Sequence, residues 1–353
     1  MWLLAIPRKV LKKREINKVT ASIIIPCRNE VNHIEFVIDS ILQNTFKDVE
    51  ILVVDGLSDD GTRQKLNALA KQNHQIKIID NPRQITPVAF NLGIKNSVGN
   101  FIFIVGARHI LSPNYIETCI KILNDSPEIG CVGGKVNNSY ENTTSELISK
   151  GMASSFAVGA GNFRIKNEDS YVDTVGTPAY RKSIFEEIGY FDEELLRNQD
   201  DEFNFRVIKK GYKILFTAKT SIQYFVRASF KNLFRQYFQY GYWKVYVNRK
   251  HKTVTTIRQI VPLFFVLFLF LGLMCSFFNF IFFELYIVGL LLYGLASFYS
   301  ASLKSAGHRQ TGKIMVTFFI LHFSYGWGYL KGIMDFFVLN LKQSSVQNTQ
   351  LSR

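Results

Sequence analysis

The chain has 353 residues, a net charge of +14, 47% hydrophobic residues and four cysteines without a C-x-x-C pair. The length predicts one α/β domain with an appendix, and Cys27, Cys119, Cys131 and Cys275 read as buried, reduced thiols rather than a disulfide or zinc framework. The positive charge suits nucleic acid, anionic lipid or phosphorylated substrates, but it clusters at residues 8–18 and 231–258, just before a long apolar run, which favours the cytoplasmic face of a membrane and argues against nucleic acid.

Residues 1–7 are apolar but too few for a signal-peptide core, and the charges follow them, so they read as an amphipathic segment touching the bilayer or the fold. Residues 21–26 are a β-branched run ended by Pro26, a buried strand. Residues 30–43 carry Ile34, Val37, Ile38, Ile41 and Leu42 at helical spacing. Strands follow at 50–54, 76–80 and 101–105, and helices at 61–73, 86–96 (Pro87 near the start) and 114–124. This alternation predicts a doubly wound, mostly parallel sheet. Ligands of such sheets sit beyond the carboxyl ends of the strands, where the unusual polar clusters fall, after Ile25, Val54 and Val105.

From 130 to 197 the pattern is weaker and Gly-rich, with a turn at 189–192. Residues 200–210 read as a helix closed by Gly211. Residues 230–249, rich in aromatic and basic side chains, read as an interfacial helix. Apolar stretches at 259–283 and 285–303 are each long enough to span a bilayer. Their connection, 279–284, has no basic residue, whereas 304–313 holds Lys304, His308, Arg309 and Lys313, which sets that loop and the first domain in the cytoplasm. A third stretch, 314–341, is interrupted by Gly326, Gly328, Lys331 and Gly332, and either spans or enters and leaves on one side. Within it His322 reads as a ligand or acceptor-site residue, or as an interhelical hydrogen bond, and Lys331 can pair with Asp335 four residues on. The expected layout is a basic segment at 1–18, an α/β domain at 19–228, an interfacial region at 229–258, a membrane region of two to three spans at 259–341 and a polar tail at 342–353.

The first strand ends in Pro26-Cys27-Arg28-Asn29-Glu30, the second in Asp55-Gly56-Leu57-Ser58-Asp59-Asp60. A carboxylate directly after a buried strand can accept hydrogen bonds from a base or ribose; Ser58 and the acidic pair can equally cap the next helix.

The order S-I-I-I-P-C-R-N-E, I-L-V-V-D-G-L-S-D-D-G-T, P-V-A-F-N-L-G-I-K-N-S-V-G-N-F-I-F-I, G-T-P-A-Y-R-K-S-I-F-E-E-I-G-Y-F-D-E-E-L and R-N-Q-D-D-E-F-N-F-R resembles family 2 glycosyltransferases of the GT-A fold, over about residues 19–250. R-Q-Y-F-Q-Y-G-Y-W-K at 235–244 and L-H-F-S-Y-G-W-G-Y-L-K-G at 321–332 resemble the exopolysaccharide, succinoglycan-type branch. The resemblance implies a GT-A catalytic domain followed by C-terminal transmembrane helices. Pro26 and Glu30 would line the nucleotide pocket, Asp55 hold the base, usually uracil, and Asp60 sit close by. Asn91 and Gly93 would lie beneath the diphosphate. Asp200, in Q-D-D-E, would be the general base, with Asp201 and Glu202 orienting the acceptor, Arg206 pairing with either, and Arg235 and Gln236 contacting acceptor or diphosphate near the membrane. Gln199 stands where the family usually has Glu.

The resemblance also implies Mg2+ or Mn2+ on an Asp-x-Asp or Asp-x-His motif after the fourth strand. Here Gly106 and Arg108 stand at the acidic places, and the loop offers no carboxylate to a hard cation. Three readings follow: Arg108, with His109, supplies the positive charge to the diphosphate without metal; His109 holds a loosely bound metal; or activity is lost. The expected activity is inverting, hexosyl-type transfer from a UDP-sugar to a polyprenyl-diphosphate-linked glycan, by a multi-pass plasma-membrane protein of bacterial type whose catalytic domain is cytoplasmic, feeding exopolysaccharide or capsule assembly. The alternatives are a processive polysaccharide synthase, against which the lack of Gln-x-x-Arg-Trp counts, and a degenerate scaffold that binds nucleotide or glycan.

Overall fold

The computed structural model describes residues 20–140, 142–159, 163, 166–226 and 229–341. The basic segment expected at 1–18 and the tail expected at 342–353 lie outside the described residues.

The first half follows the expected alternation: β1 (Ala21–Cys27), α1 (Ile34–Leu42), β2 (Val49–Asp55), α2 (Thr62–Gln72), β3 (Ile76–Asp80), α3 (Thr86–Asn96) and β4 (Phe101–Ile104). Then come β5 (His109–Leu111), α4 (Tyr115–Asp125), β6 (Ile129–Tyr140), α5 (Thr143–Met152), α6 (Ser155–Val158), β7 (Ser170–Tyr171), β8 (Ala179–Arg181), α7 (Lys182–Ile188), α8 (Gln199–Lys209) and β9 (Lys213–Val226). Among the described residues they form one nine-stranded sheet in the order β3-β2-β1-β4-β8-β6-β9-β5, with β7 on β9. β3, β2, β1 and β4 are parallel, as the alternation predicts. Beyond β4 the sheet is mixed, because β8 runs antiparallel to β4 and β6.

β1 shows how the sequence makes two core layers. Ile23 and Ile25 pack with α1, α2 and α4 on one face, and Ile24 with α3, α7 and α8 on the other. Pro26 falls beyond the last β1–β4 pair, Ile24 with Ile104, so its missing N–H removes no bond from that ladder.

A helical layer covers the carboxyl side. α9 (Phe230–His251) packs along α13 (His308–Ile333), and Tyr242, Trp243, Tyr325, Tyr329 and Phe336 form a third core with Leu195 and Leu196. The two helices touch backbone to backbone: a Cβ on Gly241 would meet the carbonyl of Tyr325, and one on Gly328 that of Phe238. α9 therefore exposes less than a solitary interfacial helix would, with Trp243 fully buried. Between the two helices, a 3-10 turn (Ile257–Ile260), α10 (Val261–Leu267), a π segment (Phe268–Gly272), α11 (Leu273–Ser276) and α12 (Phe280–Ser302) form an apolar hairpin. Ile257–Ser276 and Phe280–Ser302 are long and apolar enough to cross a membrane, and little of either is buried. The third apolar stretch is α13, which packs on α5 and α6 through Phe318 and Leu321 while Phe319 and Trp327 are exposed. His322 bonds the Phe156 carbonyl and Tyr293, the interhelical option. Cys27, Cys119 and Cys131 are buried and free, and Cys275 is half-buried.

Candidate active site

The loop before β8 lies against the end of β4, where the Ile104 N–H donates to the Pro178 carbonyl at 3.0 Å, and the turns after β1 and β2 hydrogen-bond each other. Asn29, at φ +56°, donates its N–H to the Ser58 hydroxyl oxygen at 2.9 Å, and its side-chain amide donates to Asp59 at 2.8 Å. Glu30 N–H donates to Thr62 Oγ1 at 2.9 Å, and Asp60 accepts from the Thr62 N–H at 3.0 Å and the Val31 N–H at 3.3 Å. Asp60 thus acts as a clasp between the two turns. Burial opposes its charge, but these hydrogen bonds outweigh it and hold its carboxyl below the usual range.

Asp55 is 1% exposed at the end of β2. It accepts from the Ser58 hydroxyl at 2.5 Å and from Arg63 Nη1 at 2.9 Å, while Arg63 Nη2 reaches Asp80 at 2.5 Å. The sequence reading missed Arg63; the signal was a cation in the first turn of α2, facing two strand-end carboxylates. It missed Arg28 as well, whose stem lies over Gly56, 3.2 Å from where a Cβ would stand, and whose Nε is buried without a partner.

After β4 the loop carries Arg108 to Glu30, Nε to Oε2 at 2.8 Å, in a pair only 13% and 14% exposed. Arg108 Nη1 is buried with no hydrogen-bond partner among the described residues. Burial pushes the Glu30 carboxyl up, and the Arg108 guanidinium offsets part of that rise. His109 packs over Gly106: a Cβ there would stand 3.0–3.2 Å from the ring. His109 Nδ1 takes the Gly106 N–H at 3.3 Å and lies 2.7 Å from Thr177 Oγ1. Thr177 is β-branched yet sits at φ +51°, pinned also by the Tyr115 hydroxyl on its carbonyl at 2.6 Å. Nothing in G-T-P signalled that strained residue.

Asn91 does not face this cleft. It is 3% exposed, and its amide bonds the Phe191 carbonyl and Glu193, both at 2.9 Å, so its side chain holds that loop rather than reaching a donor. Gly93 lets α3 lie against Ile24.

α8 opens on Asn198, at φ +61°. Of its acidic triplet, Asp200 is exposed, Asp201 pairs with Lys244 at 2.5 Å, and Glu202 is fully buried between Arg206 at 2.9 Å and His251 at 2.9 Å. Both Glu202 oxygens are therefore spent on protein partners, and an acceptor contact by this side chain is corrected to a structural clamp. Arg235 is exposed on α9, and Gln236 bonds Tyr240 at 2.8 Å.

Residues 22–189 match the family model "Glycosyl transferase family 2". The chain is 34% identical over 238 residues to a dolichyl N-acetyl-alpha-D-glucosaminyl phosphate 3-beta-D-2,3-diacetamido-2,3-dideoxy-beta-D-glucuronosyltransferase of Methanococcus voltae, covering 65% of this chain and 74% of that one. The chain belongs to glycosyltransferase family 2. It is also 28% identical over 254 residues to succinoglycan biosynthesis protein ExoA of Rhizobium meliloti (strain 1021), covering 70% and 76%. Among solved structures, a mannosyltransferase of Pyrobaculum calidifontis in complex with GDP-Man and Mn2+ superposes with a TM-score of 0.50 at 18% identity, covering 65% of this chain and 63% of that one, a likeness of fold.

The divalent cation implied for a family 2 loop does not fit these residues. Gly106 and Arg108 replace the acidic pair, His109 Nδ1 is occupied, and among the described residues no three His, Cys, Asp or Glu side chains converge on one point.

Proposed function

We propose that this family 2 enzyme is an inverting transferase that moves a sugar from a UDP-sugar to a polyprenyl-diphosphate-linked glycan at the cytoplasmic face of a membrane. Asp200 is the general base. The acceptor hydroxyl oxygen attacks the anomeric carbon, the bond from that carbon to the β-phosphate oxygen breaks, and the hydroxyl proton passes to Asp200. UDP leaves with the bonding pair, and Arg108 carries the countercharge that a metal would otherwise supply. Asp55, whose oxygens accept from the Ser58 N–H and hydroxyl and from Arg63, holds the base at the end of β2 in this reading.

The observation that carries this reading is Arg108. A buried guanidinium whose Nη1 has no hydrogen-bond partner among the described residues, and whose Nε is held by Glu30, is a donor in waiting beside the strand ends where a diphosphate belongs. The lipid-linked acceptor is supported by α9 and the apolar hairpin beside the cleft, and by the exopolysaccharide and lipid-linked-glycan names of the relatives.

The test is UDP release from UDP-glucose, UDP-galactose and UDP-N-acetylglucosamine by the full chain in detergent, with a synthetic polyprenyl-diphosphate monosaccharide as acceptor. Turnover survives EDTA, Asp200→Asn lowers kcat by roughly 10²–10⁴-fold, and Arg108→Ala by roughly 10²–10³-fold. Turnover lost in EDTA and restored by Mg2+ or Mn2+ overturns the role of Arg108. The missing acidic pair favours one second reading, a scaffold that binds donor; UDP binding without turnover would support it.

A further inference from the structure

The turn that presents Asp200 is fastened to α9 on both sides of that residue. Before it, Arg197 Nε donates to Gln239 Oε1 at 3.1 Å and Asn198 Nδ2 to the Tyr240 carbonyl at 2.9 Å. After it, Lys244 Nζ donates to Asp201 Oδ2 at 2.5 Å and Thr256 Oγ1 at 3.2 Å, and His251 Nε2 lies 2.9 Å from Glu202 Oε1. Asp200 itself is exposed. One helix of the membrane-side layer thus grips residues 197, 198, 201 and 202.

Lys244 is the unusual member. It is 0% exposed, in a helix otherwise buried through Tyr242, Trp243, Val245 and Val247. An ammonium taken out of water costs several kcal/mol before its partner compensates, and an apolar side chain would pack there as well. Its ion-pair partner among the described residues, Asp201, is the neighbour of Asp200, and Asp173 lies within electrostatic reach of both Lys244 and Asp201.

The other charged and titratable groups around this turn come from every element packed on it. Asp173 is held by Arg258 at 2.7 and 2.9 Å. Tyr325 of α13 and Tyr180 of β8 are buried within electrostatic reach of Asp201 and Asp200 respectively. Arg206 and His251 share Glu202. Asp173 and Glu202 thus have cations of their own, and Lys244 is the cation paired with Asp201.

We propose that Lys244 is a positioning residue for the reaction: its ion pair with Asp201 fixes the opening turn of α8 on the membrane-side helix and cancels the charge next to Asp200. This rests on the reading of Asp200 as the base. Two opposite consequences follow. Lys244→Met leaves an uncompensated carboxylate beside Asp200, which favours the protonated form of the base. Asp201→Asn leaves the Lys244 ammonium without its ion-pair partner, with Asp173 only within electrostatic reach, which favours the ionised form of the base.

The experiment is the pH profile of kcat for the full chain in detergent, with whichever of the three UDP-sugars turns over and the synthetic polyprenyl-diphosphate monosaccharide. The acidic limb moves up by roughly half to one pH unit in Lys244→Met and down by a similar amount in Asp201→Asn. It returns to the wild-type position in Asp201→Asn/Lys244→Met, which keeps a neutral pair and keeps the test alive if Lys244→Met does not fold. Limbs unmoved in Asp201→Asn and in every other variant that folds, with Asp200→Asn inactive but still binding UDP, overturn the proposal and leave the base standing. Full activity in Asp200→Asn overturns the base reading instead.

Discussion

Arg108 and His109 are neighbours with opposite orientations. The guanidinium turns toward Glu30 with one nitrogen unpartnered, while the imidazole turns inward over Gly106 and meets Thr177. Nδ1 accepts from the Gly106 N–H, so it is not available to a metal in this arrangement. His109 then serves the loop's shape, holding a β-branched residue at positive φ where it is otherwise strained. His109→Ala leaves the Thr177 hydroxyl and the Gly106 N–H without this partner. The expected cost is about 1–3 kcal/mol of stability, with kcat reduced and the response to EDTA unchanged. Thermal denaturation and UDP-release assays with and without chelator check this. A variant that gains or loses metal dependence would show that His109 is a ligand after all.

Elements differ in how far they announce themselves. β1, β2 and β4 were legible as short, largely apolar runs and α1 by apolar residues at helical spacing, while β3, broken by Lys77, and the mostly polar α2 were legible chiefly from the alternation of strand and helix around them. β7 and β8, with two and three residues, are too short to show a period, and their pairing is fixed only by β9, β4 and β6. α9 read as interfacial from its aromatic and basic composition, but what covers it is α13, through glycines whose close approach leaves no periodic trace. Of the proposed site, the placing of Asp55 and Arg108 after strands and of Asp200 at the start of α8 was legible in the sequence; the burial of Lys244 was not, because a lysine in an aromatic-basic helix looks like a solvated one. Glu50 shows how an element is tied. Burial raises its carboxyl, but the Ser22 hydroxyl at 2.5 Å, the Val98 N–H at 2.6 Å and Lys77 at 3.0 Å outweigh that and hold it below the ordinary glutamate range. A folded value below the unfolded one gives stability that is present above the unfolded value and lost as pH falls through the folded one. Glu50→Gln should therefore cost about 1–2 kcal/mol near neutral pH, and the gap from wild type should close as pH drops below about 4. Melting curves across that range decide it; a gap that persists in acid would assign the cost to packing instead.

At the scale of the molecule, the catalytic sheet, α9 and α13 form one body from which the hairpin projects. Phe277 and Phe278, at its tip, are 81% and 82% exposed, and its outer faces are apolar along their length. In water such a surface would drive aggregation; in a bilayer it is the expected finish. Charge then sets direction. Lys250 and Lys252 precede the first span and Arg258 is its second residue, Lys304, Arg309 and Lys313 follow the second span, and the tip between the spans carries no basic residue, with Glu284 just inside the second. Under the proposed orientation both basic ends stay with the catalytic domain and the tip crosses to the far side. A single cysteine placed at Asn279, with Cys275 replaced by serine, should react with a membrane-impermeant maleimide added outside intact cells, and a cysteine at Lys304 only after lysis. Labelling of both positions from the same side would mean that the hairpin enters and leaves without crossing, and the acceptor would then have to reach Asp200 along the surface of one leaflet.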